Sequence, residues 1–194
     1  MNKEFRLLNF VRITTIILAF AFWGTVAFGM AFGYVEKNYV YPLKYQAEVN
    51  EFSEKFSIDK ALIYAVIKVE SSFNENAKSV KGAKGLMQIT DSTAEFIANK
   101  TGVKEYNLFN SKTSIGFGCW YLRYLMNKFS SLNTALCAYN AGEGNVYAWL
   151  NNKDCSLDGE NLVKIPFRET KKYVDKIEKA YDKYRKIHKQ EIYK

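Results

Sequence analysis

One glutamate stands apart from the other carboxylates in this 194-residue sequence. Most Asp and Glu residues sit among lysines on helix faces that water reaches, where their role is solubility. Glu70 closes a stretch in which Ile58, Leu62, Val66 and Val69 recur at helical spacing. It lies four residues after Val66 and seven after Ile63, so it borders the apolar stripe. It also lies at the C-terminal end of the expected helix, where the macrodipole disfavours negative charge. Partial burial and the dipole both raise a carboxyl pKa, toward the state a general acid needs near neutral pH. From spacing alone, the same position also suits a capping or core hydrogen-bond partner. Other chemistries find less support. His188 is the sole histidine and falls in a basic tail expected to fray, which removes Ser-His-Asp and Cys-His catalysis. Cys119, Cys137 and Cys155 are odd in number and show no CxxC or Cys/His spacing, so no metal or cofactor site is expected. Cys119 and Cys137 fall in apolar helical stretches and are expected to be buried free thiols.

Four short runs accompany Glu70 in order. Glu70-Ser71-Ser72-Phe73-Asn74 is followed by Ser79 and then Gly82-Ala83-Lys84-Gly85-Leu86-Met87-Gln88. Farther on come Ala138-Tyr139-Asn140-Ala141-Gly142 and Ile165-Pro166-Phe167-Arg168-Glu169-Thr170-Lys171-Lys172-Tyr173-Val174. The succession resembles the soluble-lytic-transglycosylase-type family, whose members have a goose-lysozyme-like helical fold and cut peptidoglycan glycan strands. The resemblance covers about residues 42–185. It implies that Glu70 is the single catalytic acid and that Ser79 hydrogen-bonds it. It implies further that Met87, Gln88, Tyr139 and Asn140 line the sugar-binding groove, and that Glu169 and Tyr173 close the cleft from the opposite side. Two positions depart from the family pattern. Glu75 stands where a proline often follows the Asn of the first run, and Gln88-Ile89-Thr90-Asp91 lacks a proline common at that point. Both are loop or helix-entry positions, so altered turn geometry is the expected consequence.

An ordinary glycosidase uses two carboxylates, and Asp91, Glu95 and Glu143 are candidates for a second whose placement the spacing leaves open. By the resemblance, one carboxyl suffices. The acid protonates the glycosidic oxygen, the muramic N-acetyl group steadies the developing cation, and the same group then deprotonates the muramic C6 hydroxyl. Attack of that oxygen gives a 1,6-anhydro end without water. A hydrolytic muramidase on the same fold and a non-catalytic glycan-binding envelope module are the competing functions. The retention of Glu70 and Ser79 counts against the latter.

The elements that must position these residues read as helices throughout. Tyr45, Val49, Phe52 and Phe56 share a face after Pro42, and Ser57 is placed to cap the helix that carries Glu70. Ser92 and Glu95 form a capping box for a helix that Gly102 closes. Asn110 or Ser111 opens a helix bearing Ile115, Cys119, Leu122, Met126 and Phe129. A short helix runs around Leu132–Tyr139 and stops at Gly142, and another lies near Val146–Leu150. After Pro166, a long helix carries Tyr173, Ile177, Tyr181, Tyr184 and Ile187 on one face. No period-2 strand appears. The expected fold is all-α, a lysozyme-like helical domain after one N-terminal transmembrane helix.

The transmembrane expectation rests on Ile13–Val35, 23 residues without Asp, Glu, Lys or Arg. As a helix this spans about 35 Å, enough for a hydrocarbon core of about 30 Å. A secretory signal has a shorter apolar region, so an uncleaved anchor is expected, although Ala27-Phe28-Gly29 resembles a cleavage site. Lys3, Arg6 and Arg12 precede the segment, placing the N-terminus in the cytoplasm and the remainder outside the cell membrane. The expected organisation is a cytoplasmic N-terminus over 1–12, an anchor over 13–35, a linker over 36–41 and a catalytic domain over 42–194. The formal net charge of +8 is uneven: +2 lies in residues 1–35, +6 in 164–194, and the middle balances. That balance excludes a broad nucleic-acid surface on the middle segment. The partners expected are peptidoglycan glycan strands and, through the N-terminal helix, the membrane. The basic final helix is a solvated face with an attraction to anionic wall polymer or lipid headgroups.

Overall fold

The computed structural model describes residues 3–193, with the side chains of residues 3–6 and of Val11 outside the described set. Part of the expected cytoplasmic segment, including the Lys3 and Arg6 side chains, therefore lies outside it. The chain divides into two compact units, one ending at Pro42 and the other beginning at Leu43.

The first unit is the helix α1 (Lys3–Val35) followed by a π-helical turn over Glu36–Val40. Residues 36–41 were expected as a linker, yet the backbone stays helical because the Tyr41 N–H donates to the Glu36 carbonyl five residues back. The helical stretch Leu7–Val40 is long and apolar enough to cross a membrane, with a mean hydropathy of 1.9. Its threonine hydroxyls are satisfied within the helix: Thr14, Thr15 and Thr25 donate to the carbonyls of Phe10, Arg12 and Phe22.

The second unit is helical. It contains α2 (Gln46–Phe56), α3 (Lys60–Ser71), α4 (Asp91–Thr101), α5 (Ser111–Lys128), α6 (Leu132–Ala141), α7 (Glu143–Leu150), α8 (Arg168–Ile187) and α9 (Lys189–Ile192). Among the described residues no strand forms, and only the isolated pairings Lys78/Lys84 and Lys84/Ile89 stiffen the loop after α3. The all-α expectation holds. α3 is the central element. Its residues from Ala61 to Ile67 are all buried, and its principal neighbour is α8. The apolar face of α8, through Tyr173, Val174, Ile177, Ala180 and Tyr184, covers it, with the Tyr64 and Tyr184 rings stacked at 5.3 Å. α5 packs against α2 on one side and α6 on the other. The Arg123 guanidinium of α5 donates to the Phe56 and Ser57 carbonyls, satisfying the C-terminus of α2.

Helix entries differ from expectation in two places. Asp59, not Ser57, caps α3, accepting from the Ala61 N–H at 2.9 Å, while Ser57 ends α2 in the left-handed conformation. Thr90, not Ser92, caps α4, accepting from the Thr93 N–H at 3.3 Å. Ser92 stands two residues inside that helix. Asn110 caps α5 and Gly102 closes α4 at φ 75°, both as expected. The tail expected to fray is instead packed as far as Ile192. His188 is buried against Tyr184, and Ile192 on α9 is buried too. The three cysteines are free and buried.

Candidate active site

Glu70 stands on the last turn of α3, where the chain must leave the helix abruptly. Ser72 and Phe73 take left-handed conformations, φ 50° and 65°, costing about 1–2 kcal/mol each for non-glycine residues. The turn holds because Phe73 is buried beside Tyr64, with ring centroids 6.4 Å apart. The Ser71 and Ser72 hydroxyls donate to the Ile67 and Lys68 carbonyls, which occupies acceptors at the helix end.

The Glu70 side chain is half-buried and accepts a 2.6 Å hydrogen bond at Oε1 from the Tyr173 hydroxyl on α8. Burial raises its pKa from the ordinary 4.5 to about 7, with the Tyr173 hydroxyl acting in the opposite direction. Burial also raises the phenols of Tyr139 and Tyr173 well above their ordinary range, and the charge of Glu70 adds to both. The three side chains therefore form one electrostatic cluster. None of the candidate second carboxylates belongs to it. Asp91 pairs with Lys84 at 2.7 Å, Glu143 pairs with Lys128, and Glu95 is exposed on α4.

The loop after α3 is built around Gly85. Its φ is +76°, and a Cβ there would lie 1.9 Å from the Leu108 carbonyl oxygen, so only glycine fits. Gln88, itself at φ 49°, donates its side-chain amide to the Ala77 and Gly85 carbonyls and ties the loop shut. Ser79 is also a loop brace. Its Oγ accepts from the Ala83 N–H at 3.0 Å, and the hydrogen bond to Glu70 expected of it is not formed. Met87 does not line a groove. It is fully buried against bare Gly118, whose added Cβ would lie 2.3 Å from the Met87 sulfur. What Met87 gives the site is its backbone carbonyl, which accepts the Tyr139 hydroxyl at 2.9 Å. The missing proline at the helix entry has a local replacement, the Thr90 cap with Asp91 held by Lys84.

Asn140, on the last turn of α6, accepts a 2.8 Å hydrogen bond at Oδ1 from the buried hydroxyl of Thr170. Glu169 is exposed, and its carboxylate meets Lys81 of the loop at 3.3 Å. Of the eight residues anticipated, then, Glu70, Tyr173 and Tyr139 form the cluster. Asn140 joins α8 through Thr170, one turn before Tyr173. Gln88 and Ser79 shape the loop, Met87 lies beneath it, and Glu169 sits at its rim. Thr170 and Lys81 were missed. Thr170 could have been found from its place three residues before Tyr173 on one helix face, whereas Lys81 carries no such signal.

Two hollows of the second unit lie outside these residues, and neither is lined by any of them. One of about 150 Å³ is lined by Ser92, Thr93, Phe96, Tyr121 and Glu143, and the Tyr121 ring lies 5.5 Å from that of Tyr139. The other, of about 510 Å³, is lined by Phe52, Phe56, Ile97, Phe117, Trp120 and their neighbours, and no residue of the Glu70 cluster opens onto it. Among the described residues, no His, Cys, Asp and Glu side chains gather into a group able to hold a metal ion.

Comparison with known proteins matches residues 48–161 to the family model described as the transglycosylase SLT domain. The soluble lytic murein transglycosylase of Salmonella typhimurium is 35% identical over 150 residues, covering 74% of this chain and 23% of that protein. The membrane-bound lytic murein transglycosylase C of Glaesserella parasuis is 29% identical over 169 residues, covering 74% of this chain and 46% of that protein. The crystal structure of the 70 kDa soluble lytic transglycosylase from Escherichia coli superposes with a TM-score of 0.66 at 29% identity, covering 78% of this chain and 25% of that one. A complex of the 70 kDa enzyme with bulgecin A gives a TM-score of 0.67 at 29% identity, covering 76% of this chain and 25% of that one. The chain thus spans about a quarter of the length of the soluble relatives it matches.

Proposed function

The chain belongs to the transglycosylase SLT domain family, and on that premise we propose that it is a membrane-anchored peptidoglycan lytic transglycosylase. It cleaves the β-1,4 bond between N-acetylmuramic acid and N-acetylglucosamine and leaves a 1,6-anhydromuramic end. The observation that carries this reading is the state of Glu70: a carboxyl raised to about 7 by burial and held by Tyr173, with no second carboxylate in its cluster among the described residues. At neutral pH such a group is divided between its acid and base forms, and both are needed. With Oε1 occupied by the Tyr173 hydroxyl, Oε2 carries the proton to the glycosidic oxygen. The C1–O bond breaks as that proton arrives, and the substrate N-acetyl oxygen shares the positive charge at C1. Glu70, now a carboxylate stabilised by Tyr173, takes the proton from the muramic C6 hydroxyl. The C6 oxygen closes on C1, and Glu70 is restored to its acid form with no water consumed. The usual inverting or retaining hydrolase uses a second carboxylate, to activate water or to attack, and none of Asp91, Glu95 and Glu143 joins the Glu70 cluster.

The same reading makes α1 the anchor, with Lys3, Arg6 and Arg12 on the cytoplasmic side and the helical unit outside. The relative described as membrane-bound supports the anchoring. One digestion tests the chemistry. Full-length protein in mild detergent, wild type and Glu70→Gln, is incubated with purified sacculi, and the released muropeptides are weighed by mass spectrometry. Anhydro-ended products that disappear in the variant are the expected result. Reducing-end products would replace the reading by a hydrolytic muramidase. Binding to sacculi without release would replace it by a glycan-binding module.

A further inference from the structure

Asn140 sits beside the Glu70 cluster with its amide oriented by one contact. An amide carries an acceptor oxygen and an NH₂ group with two donors, and which of them faces a ligand depends on what holds the other end. Here the holding group is Thr170. It lies in the first turn of α8, and the residue is 1% exposed. It donates to Asn140 Oδ1 at 2.8 Å. The Asn140 side chain is half-buried, and no described residue accepts from its NH₂ group. Three residues on, and on the same face of α8, Tyr173 donates to Glu70. One helix turn thus fixes both the acid and the amide.

We infer that Thr170 is a positioning residue that sets Asn140 as a hydrogen-bond donor toward an acceptor oxygen of the bound glycan, such as an acetamido carbonyl. This rests on the reading that the site takes peptidoglycan glycans. The consequence is a bias in the polarity of the site. With Oδ1 turned toward buried Thr170, the N–H groups are what Asn140 presents outward, so a ligand acceptor is favoured there over a ligand group that is only a donor. Thr170 need not touch the glycan. A buried hydroxyl replaced by a methyl leaves Oδ1 unsatisfied and lets the amide rotate, and an amide that presents its two ends at random binds one acceptor less well.

The test is a double-mutant cycle read on binding rather than turnover. In full-length Glu70→Gln protein in detergent, the Kd for a purified soluble glycan tetrasaccharide is measured by calorimetry for Thr170→Val, Thr170→Ser, Asn140→Ala, Asn140→Asp and the Thr170→Val/Asn140→Ala pair. Thr170→Val should weaken binding roughly 3- to 10-fold, the range of one hydrogen bond, and Thr170→Ser should restore it to within about twofold. In the Asn140→Ala background, Thr170→Val should change nothing further, because the group it positions is gone. Asn140→Asp should be weaker than Asn140→Ala, since a carboxylate opposes an acceptor oxygen.

Wild-type affinity in Thr170→Val, an equal loss in both backgrounds, or an Asn140→Asp variant as tight as the parent would each overturn the inference, as would absence of any binding to be modulated. The same Thr170→Val change in the Glu70 form, assayed on sacculi, should lower kcat/KM by the same factor without moving the pH profile. A binding cycle that couples as described in a protein that releases no product leaves this inference standing and removes only the transglycosylase reading.

Discussion

Replacing Glu70 by glutamine should make the protein more stable, and by an amount that depends on pH in a defined way. The folded state holds the Glu70 proton up to about pH 7, whereas the unfolded chain releases it near the ordinary 4.5. Folding therefore takes up a proton across that window. Stability contributed by this group is complete below 4.5, falls as the pH rises through the window, and stays low above 7. The gap is about 2.5 pH units, and at about 1.36 kcal/mol per unit the full cost is on the order of 3 kcal/mol. Glutamine is never charged and its carbonyl still accepts the Tyr173 hydroxyl, so the variant escapes the cost and keeps the contact. Thermal unfolding followed by circular dichroism should give coincident midpoints for the two proteins at pH 4.5. At pH 8 they should separate by roughly 6–12 °C in favour of Glu70→Gln, taking about 2–4 °C per kcal/mol for a domain of this size. Two curves that stay parallel from pH 4.5 to 8 would refute the reasoning, because a carboxyl with an ordinary pKa cannot produce a gap that grows with pH.

Tyr173→Phe removes the donor that opposes burial, so the Glu70 pKa should rise further, and the alkaline limb of the pH–rate profile should move upward by about one unit. Gly85→Ala puts a Cβ against the Leu108 carbonyl in a left-handed conformation, and should cost more than roughly 4 kcal/mol, seen as loss of the cooperative melt. Lys172, Lys176, Lys179 and Lys186 recur along α8 at spacings of four, three and seven and are all exposed. Changing these four to glutamine should weaken pelleting with sacculi at low salt while sparing cleavage of small soluble glycans, and equal loss of both would contradict a surface role.

The helices were legible because their apolar periods are long and their burial is one-sided. Ile58 to Val69 announces α3 and Tyr173 to Tyr184 announces the covering face of α8. The helix entries were less so. Ser57, Asp59, Thr90 and Ser92 are all chemically able to cap, and the choice falls to Asp59 and Thr90 through backbone geometry that a residue type does not encode. In the site, the order of motifs singled out Glu70, Tyr139 and Tyr173, three residues that interact in the structure. It could not tell a side chain that faces a groove from one that supports the loop beneath it. Met87 is the clearest case: the site uses its carbonyl, while its side chain fills space left by Gly118. Ser79 likewise spends its hydroxyl on its own turn.

The closing stretch of the chain, beyond supplying one wall of the site, explains how a carboxyl at a helix end can be held half-buried with a raised pKa. α3 is held by it at both termini. At one end Tyr173 reaches Glu70, and at the other the hydroxyls of Tyr181 and Tyr193 both bond the Asp59 carboxylate that caps the helix, at 2.8 and 2.9 Å. Between them the Tyr64 and Tyr184 rings stack. A raised pKa requires that water stay excluded when the carboxyl ionises, since a site able to open would hydrate the charge and return the pKa toward 4.5. Helix ends are the places that open most readily. Clamping α3 at its far end and along its length opposes fraying of its last turn, so fuller hydration of half-buried Glu70 requires α8 to loosen as well. The acid strength of Glu70 is in this sense a property of the α3–α8 pair. A truncation that removes α9 and Tyr193 should lower the Glu70 pKa, read from the pH–rate profile, although no residue removed lies in the Glu70 cluster; an unchanged profile in a folded truncation would show that the clamp is dispensable.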